Sequence, residues 1–264
     1  MDRQTFIQTI LPKVSSHIKA NENFSARYSY EKGYLAEADL LANTFIIGAI
    51  KEYFPEDLVL SEEENKGYNF NDFDSDNKYL WIIDPICGST NFLKRFPFYV
   101  HAISVADKKG VLYSGIYDPS HNELFLADRN RATLNGEEIA TSGVAELNKS
   151  LVSLNCNQSD WDREDVNLPK LINKLAPPMT RRLHVIESAN LEIAYVACGR
   201  LDAYINPHDK IWDIAAGSLM IKSAGGQIKL FSGNLFPPTR ENLGVVATNE
   251  FLLSEINEAL GANI

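Results

Sequence analysis

Three short stretches of this chain carry residue types whose spacing suits chemistry. Asp84-Pro85-Ile86-Cys87-Gly88-Ser89-Thr90-Asn91-Phe92 follows directly on Tyr79 to Ile83, an apolar run that reads as a strand buried on both faces. A carboxylate at the end of such a strand is held rigidly, and Gly88 permits a close backbone approach. Ser89 or Thr90 suits the first turn of a helix whose free N–H groups point outward. These are the parts of a phosphate cradle beside a metal ligand. The same residues also suit a plain strand-to-helix turn in which Asp84 and Ser89 only cap. Ser61-Glu62-Glu63-Glu64 ends another short strand. Adjacent carboxylates repel unless a cation sits between them, so Glu62 near Asp84 would suit a hard divalent ion such as Mg²⁺; the alternative is a solvated charge run. In Ile211-Trp212-Asp213-Ile214-Ala215-Ala216-Gly217 the acid stands at a helix start, as cap or as ligand. The combination argues for ligands: Glu62, Asp84 and Asp213 each fall at a strand end or helix start, the order expected of layered sheets whose edges form one cleft.

The elements that must position these residues follow from periodicity. Residues 3–20 place Phe6, Ile7, Ile10, Leu11, Val14 and Ile18 on one helical face, with Pro12 expected to sit early or to kink the helix. A second helix is predicted from Ala36 to Phe54, with Leu40, Leu41, Phe45, Ile47, Ile50 and Phe54 as its apolar stripe, stopped by Pro55. Leu58 to Leu60 reads as a strand, and the polar residues 65–78 as a mobile loop. From Val100 to Asp128 the pattern is an antiparallel meander, with turns at Lys108-Lys109-Gly110 and Pro119-Ser120-His121-Asn122, and Asn135-Gly136 marks one more tight turn. After residue 147 the chain alternates: strand 151–155, polar linker, strand 182–186, helix 189–198, strand 202–206, helix 212–223, a strand, then a strand–helix pair over 244–260. The expected architecture is an α+β and α/β layered sandwich, α-β-α-β-α. Residues 1–146 form an N-terminal half with an antiparallel sheet and the metal and phosphate loop, and residues 147–264 a C-terminal mixed α/β half that completes the site.

Composition narrows the classes. With 264 residues, 45% hydrophobic and 23% charged, the chain suits a folded globular protein that needs no disulfide or structural metal for stability. A net charge of −10 argues against coating a nucleic-acid polymer. The N-terminus reads as an amphipathic helix rather than a signal peptide, and no run is long and apolar enough for a membrane span. Cys87, Cys156 and Cys198 fit neither a disulfide framework nor a zinc ribbon, which points to a reducing cytoplasm. His17, His101, His121, His184 and His208 show no metal spacing, although His208 lies near the proposed cleft.

The sequence resembles the inositol monophosphatase family, Mg²⁺-dependent, lithium-sensitive phosphatases of the sugar-phosphatase fold shared with fructose-1,6-bisphosphatases and bisphosphate nucleotidases. WIIDPICGSTNFLKRFPF matches the family's first signature, W-x-x-D-P-[IL]-D-G-[ST]-x-N-F with a following P-F, and KIWDIAAGSLMIKSAGG matches the second, W-D-x-A-A-G with a Gly-Gly end. AEAD at 36–39, SEEE at 61–64, NGEEI and SANLEIAYVACGRLDAY extend the likeness over nearly the whole chain. The resemblance implies that Glu62, Asp84 and the Ile86 carbonyl hold one metal, and that Asp213 ligates a second and faces the substrate. It also implies that backbone N–H groups at Gly88, Ser89 and Thr90 hold the phosphate, and that Asp39 and Ser89 polarise the attacking water. A homodimer acting on a small phosphorylated substrate is implied as well, by in-line attack of metal-bound water and without a phosphoenzyme.

One departure is consequential. The family's second aspartate, in D-P-x-D-G, is here Cys87, a soft donor and a poor ligand for Mg²⁺. Three outcomes stay open: a weak second site, replacement of Mg²⁺ by an ion such as Mn²⁺ or Zn²⁺, or binding of a phosphorylated ligand without turnover. For the substrate, the acid that contacts ring hydroxyls in inositol-specific members is replaced by Asn206, an amide that still donates and accepts. Ser188 and Ala189 match pocket positions, and Glu187 before them leans toward monophosphates. The reading is a phosphomonoesterase for inositol monophosphate or a related sugar or polyol phosphate; the enzymatic alternative acts on 3′-phosphoadenosine 5′-phosphate or NADP.

Overall fold

The structure is a computed structural model that describes residues 1–20, 37–64, 79–156, 168–231 and 243–261. The expected loop at 65–78 lies outside the described residues. Among the described residues no helix is long and apolar enough to cross a membrane.

Two sheets and three helical layers alternate. The first sheet runs β1 (Leu58–Ser61), β2 (Leu80–Cys87), β3 (Val100–Asp107), β4 (Gly110–Asp118), β5 (Glu123–Asp128), β6 (Ala132–Leu134) and β7 (Glu137–Glu138), paired in chain order. It is antiparallel from β2 onward, but β1 joins β2 in parallel, which corrects the expectation of a wholly antiparallel first sheet. Helices α1 (Arg3–Ala20) and α2 (Glu37–Tyr53) cover the outer face.

The second sheet has the order β11 (Gln227–Leu230), β12 (Val245–Thr248), β10 (Ala203–Asn206), β8 (Leu151–Leu154), β9 (Arg182–His184), parallel through β10, β8 and β9 and antiparallel around β12. Between the sheets lie α5 (Ala189–Ala197) and α6 (Ile211–Ser223), almost wholly buried, and a single apolar cluster joins residues of both sheets through them. The two helices come close enough that a Cβ on Gly217 would meet Ile193 Cγ2 at 2.4 Å, so only glycine fits there. Helices α4 (Leu168–Leu175) and α7 (Leu253–Leu260) close the far face. A short α3 (Ser89–Leu93) follows β2.

Three helices differ locally from expectation. The α1 apolar face is buried as expected, and the helix continues through Pro12 rather than beginning near it. The buried face of α2 is Ala38, Asp39, Ala42, Asn43, Ile46 and Ile50, whereas Leu40 is 45% exposed. Ile50 lies on the predicted stripe and Phe45, Ile47 and Phe54 pack against the core, but the most buried face also takes Asp39 and Asn43, because this helix turns polar side chains toward the site described below. Helix α4 occupies part of the stretch read as a polar linker.

Candidate metal and phosphate site

The site begins with an irregularity in β2. Asp84 pairs with Ala102 and Cys87 with Val100, so two residues, Pro85 and Ile86, stand opposite His101 alone. Proline cannot donate to a ladder and is tolerated at such a bulge. The bulge reverses the alternation of the strand: Leu80 and Ile82 face the core between the sheets, Trp81 and Ile83 the core under α1 and α2, yet beyond the bulge Cys87 faces the inner core and Ile86 the outer one. Asp84 and Cys87, three apart, thereby come to one side. His101 pins the bulge from behind. Burial pushes its imidazole down to about 4, so the neutral ring donates from Nδ1 to the Pro85 carbonyl at 2.6 Å and accepts at Nε2 from the Ser15 hydroxyl at 2.7 Å.

The chain then turns through Gly88 at φ +93, where a Cβ would lie 2.8 Å from the Phe98 carbonyl oxygen. The Asn91 side-chain amide donates to the Phe98 and Ile186 carbonyls, each at 2.8 Å, and the Ser188 hydroxyl donates to the Cys87 carbonyl at 2.9 Å. These bonds tie the turn to the segment leading into α5. The Ser89 hydroxyl lies 2.9 Å from Asp39 Oδ1 and 3.0 Å from the Ile86 carbonyl oxygen, with Asp39 buried at the start of α2. Thr90 is exposed on the first turn of α3.

Carboxylates from both halves converge here. Asp84, Cys87 and Asp213 each place a ligand atom within 4.8 Å of the others. Asp213, in the first turn of α6, accepts the Lys210 N–H at 2.7 Å, so it caps the helix and also joins the cluster. Burial raises Asp213 to about 6, against the pull of the Lys210 N–H and ammonium. Glu62 is driven up to about 10, first by burial and then by Asp84, Asp213, Glu63 and Asp39. Burial and Asp213 push Asp84 well above the carboxylate range, although Cys87 and Asn190 draw it back. Burial, Asp84 and Asp213 likewise raise the Cys87 thiol. The three glutamates part company: Glu62 faces the cluster, Glu63 is half-buried, and Glu64 accepts from the Asn43 amide at 3.2 Å.

Asn190 is the residue that the sequence reading missed. Its side-chain amide donates to Asp84 Oδ2 at 3.0 Å and to the Trp212 carbonyl at 3.1 Å, and its backbone N–H donates to Cys87 Sγ at 3.3 Å. Asp84 Oδ1 is buried with no hydrogen-bond partner. A buried carboxylate oxygen is costly to leave unmatched, and here its neighbours are other acids. A divalent cation fits that combination: Glu62, Asp84 and the Ile86 carbonyl are all oxygen donors, as Mg²⁺ prefers.

Among the expected substrate residues, Ser188 and Ala189 are buried at the head of α5. The Ser188 N–H donates to Glu192 at 2.9 Å, so this serine straps two segments together. Asn206 is turned inward: its amide donates to Asp209 Oδ1 at 2.5 Å and lies 3.2 Å from the Tyr204 hydroxyl, and its oxygen accepts the His208 N–H at 2.9 Å. Both ends of that side chain are thus engaged within the protein.

A layered sandwich with an acidic cluster beside a glycine-hinged turn defines a class of phosphate-handling proteins, and comparison with known proteins names the family. The inositol monophosphatase family matches residues 4–264, and the chain belongs to it. It is 31% identical over 218 residues to the Nus factor SuhB of Xylella fastidiosa, covering 82% of this chain and 76% of that protein. It is also 31% identical over 228 residues to the inositol monophosphatase of Dictyostelium discoideum, covering 83% and 81%. The IMPase of Thermotoga maritima superposes with a TM-score of 0.83 at 26% identity, covering 99% of this chain and 97% of that one. These likenesses support a phosphatase of this superfamily.

Proposed function

We propose that the chain is a metal-dependent phosphomonoesterase acting on inositol monophosphate or a related sugar or polyol phosphate. The observation that carries this reading is the convergence of Glu62, Asp84 and Asp213, with a buried, unmatched Asp84 Oδ1, beside the turn at Gly88 and Ser89. Glu62, Asp84 and the Ile86 carbonyl hold an oxygen-preferring ion. When bound, a divalent cation supplies Lewis acidity toward the phosphoryl oxygens and toward water.

The chain's own groups do the rest. The first N–H groups of a helix have no acceptor within it, so those of Gly88, Ser89 and Thr90 suit the phosphoryl oxygens. The Ser89 hydroxyl, held by Asp39, orients the attacking water and passes its proton to the Asp39 carboxylate. The water oxygen forms a bond to phosphorus as the ester P–O bond opposite it breaks, and the leaving alkoxide takes a proton from solvent. Glu187, exposed at φ +61 one residue before Ser188, disfavours a second phosphate.

The test is phosphate release with Mg²⁺, Mn²⁺ or Zn²⁺ against inositol-1-phosphate, fructose-1,6-bisphosphate, a nucleotide bisphosphate and NADP⁺. Release from the polyol or sugar monophosphate class is expected, with Asp84→Asn lowering it at least about 100-fold. Turnover of the nucleotides alone would replace this substrate class by the nucleotide one. Silence throughout, with phosphate binding still measurable by calorimetry, would leave a binding protein, one of the outcomes that Cys87 keeps open.

A further inference from the structure

The donors at Asp84, Cys87 and Asp213 do not match those at Glu62, Asp84 and Ile86. The first group includes a sulfur atom, and Mg²⁺ demands a near-octahedral shell of oxygen. We propose that the Asp84–Cys87–Asp213 position selects a thiophilic divalent ion of the zinc class over Mg²⁺, with Cys87 as a thiolate ligand, so that the chain carries a hard and a soft metal position side by side. This rests on reading the cluster as a metal centre, but not on turnover.

Geometry supports it first. Donor atoms around one tetrahedral zinc-sized ion at about 2.0–2.3 Å lie roughly 3.3–3.8 Å apart. The three ligand atoms fall within 4.8 Å of one another, so side-chain adjustments of about an ångström close them on an ion. Asp84 Oδ1 provides a second, independent observation: it is buried, unmatched, and belongs to the residue shared by both positions. Orientation of the ligands is a third. Asn190 donates its side-chain amide to Asp84 Oδ2 and its backbone N–H to Cys87 Sγ, so one residue aims two ligands. An N–H aimed at sulfur fixes the direction in which Cys87 presents its lone pairs to an ion. Charge points the same way. With a neutral thiol, the position offers two negative ligands; with a thiolate it offers three, as a three-carboxylate site would. Only an ion that bonds sulfur recovers the third charge: the S–metal bond forms, the S–H bond breaks, and the proton leaves to solvent.

The experiment uses the whole protein, freed of metal and titrated with Co²⁺ and Cd²⁺ as optical stand-ins for zinc. The readout is the sulfur-to-metal charge-transfer absorption, in parallel with Mg²⁺ and Zn²⁺ calorimetry. In the wild type, a band corresponding to one thiolate per chain is expected, together with Zn²⁺ binding at least about tenfold tighter than a second Mg²⁺, or about 1.4 kcal/mol. Cys87→Ser should lose the band while retaining its fold by circular dichroism, and Cys87→Asp should lose the band and gain a second Mg²⁺. A wild type without the band overturns the proposal. So does a band that persists in Cys87→Ser, which would place the ion at Cys156 or Cys198, or a wild type that binds two Mg²⁺ as tightly as Cys87→Asp does. If Cys87→Asp does not fold, the serine variant decides. A thiolate band without phosphate release from any substrate would sustain this inference and remove the phosphatase reading; phosphate release without the band would do the reverse.

Discussion

Glu62 shows what like charge costs when no cation divides it. Its carboxyl holds a proton up to about 10 in the folded chain, against an ordinary value of 4.5, because burial and four neighbouring acids oppose ionisation. The folded state therefore binds this proton more tightly than the unfolded state. The stability it contributes is complete below pH 4.5 and falls away as pH rises through the window to about 10. His101 acts in the opposite sense, since its depressed value near 4 makes the fold lose stability as pH drops below about 6.5; it no longer contributes a slope above neutrality. In chelator, the urea midpoint should fall between pH 7 and pH 9, and Glu62→Gln or added divalent ion should flatten that fall. A Glu62→Gln variant with the wild-type slope would assign the titration elsewhere. Glu62, Asp84 and Asp213 were legible in the sequence because acids at strand ends and helix starts announce themselves, whereas Cys87 drew notice only as a departure from the family signature. Asn190 was not, because an amide one residue into a helix gives no chemical signal until its partners are known. The inward turn of Asn206, whose amide donates to Asp209, is a burial that hydropathy does not reveal.

At the scale of elements, the strands were the most readable part. β2 through β5 fall where the apolar runs and the turn residues between them put them, although β2 runs past Ile83 to Cys87. The parallel pairing of β1 was not readable, because nothing local distinguishes it from an antiparallel edge. The α2 stripe was readable only in part, because Asp39 and Asn43 share its buried face, where Asn43 accepts from the Ser61 hydroxyl at 2.6 Å and Asp39 accepts from Ser89. The bulge in β2 had one visible sign, Pro85 within an apolar run. Its support from His101 yields a prediction: His101→Leu strands the Pro85 carbonyl and the Ser15 hydroxyl in the core. The expected loss is about 2 kcal/mol or more of unfolding free energy in urea, with phosphate release reduced as well. A variant of unchanged stability would show that the imidazole is not what holds the bulge.

For the whole molecule, the central layer settles how the parts depend on one another. The cluster through α5 and α6 includes Leu80 and Val100 of the first sheet and Tyr204 and Val245 of the second, and Arg200 beyond α5 pairs with Glu123 of β5 in two 2.6 Å hydrogen bonds. Unfolding in urea is accordingly expected as one transition, coincident by fluorescence and circular dichroism, and residues 1–146 and 147–264 expressed apart should each stay unfolded. Separate transitions would mark the halves as independent domains. The acidic cluster gathers Asp39 from α2, Glu62 from the end of β1, Asp84 and Cys87 from β2 and Asp213 from α6, so it does not exist until the last of these docks. Ion capture is therefore a late event in assembly, a clasp rather than a seed. A saturating divalent ion should leave the refolding rate nearly unchanged and slow unfolding several-fold in stopped-flow urea jumps, because it stabilises a contact that the transition state has not yet made. Acceleration of refolding instead would mean that the acids meet early, and that the ion helps to build the fold it later occupies.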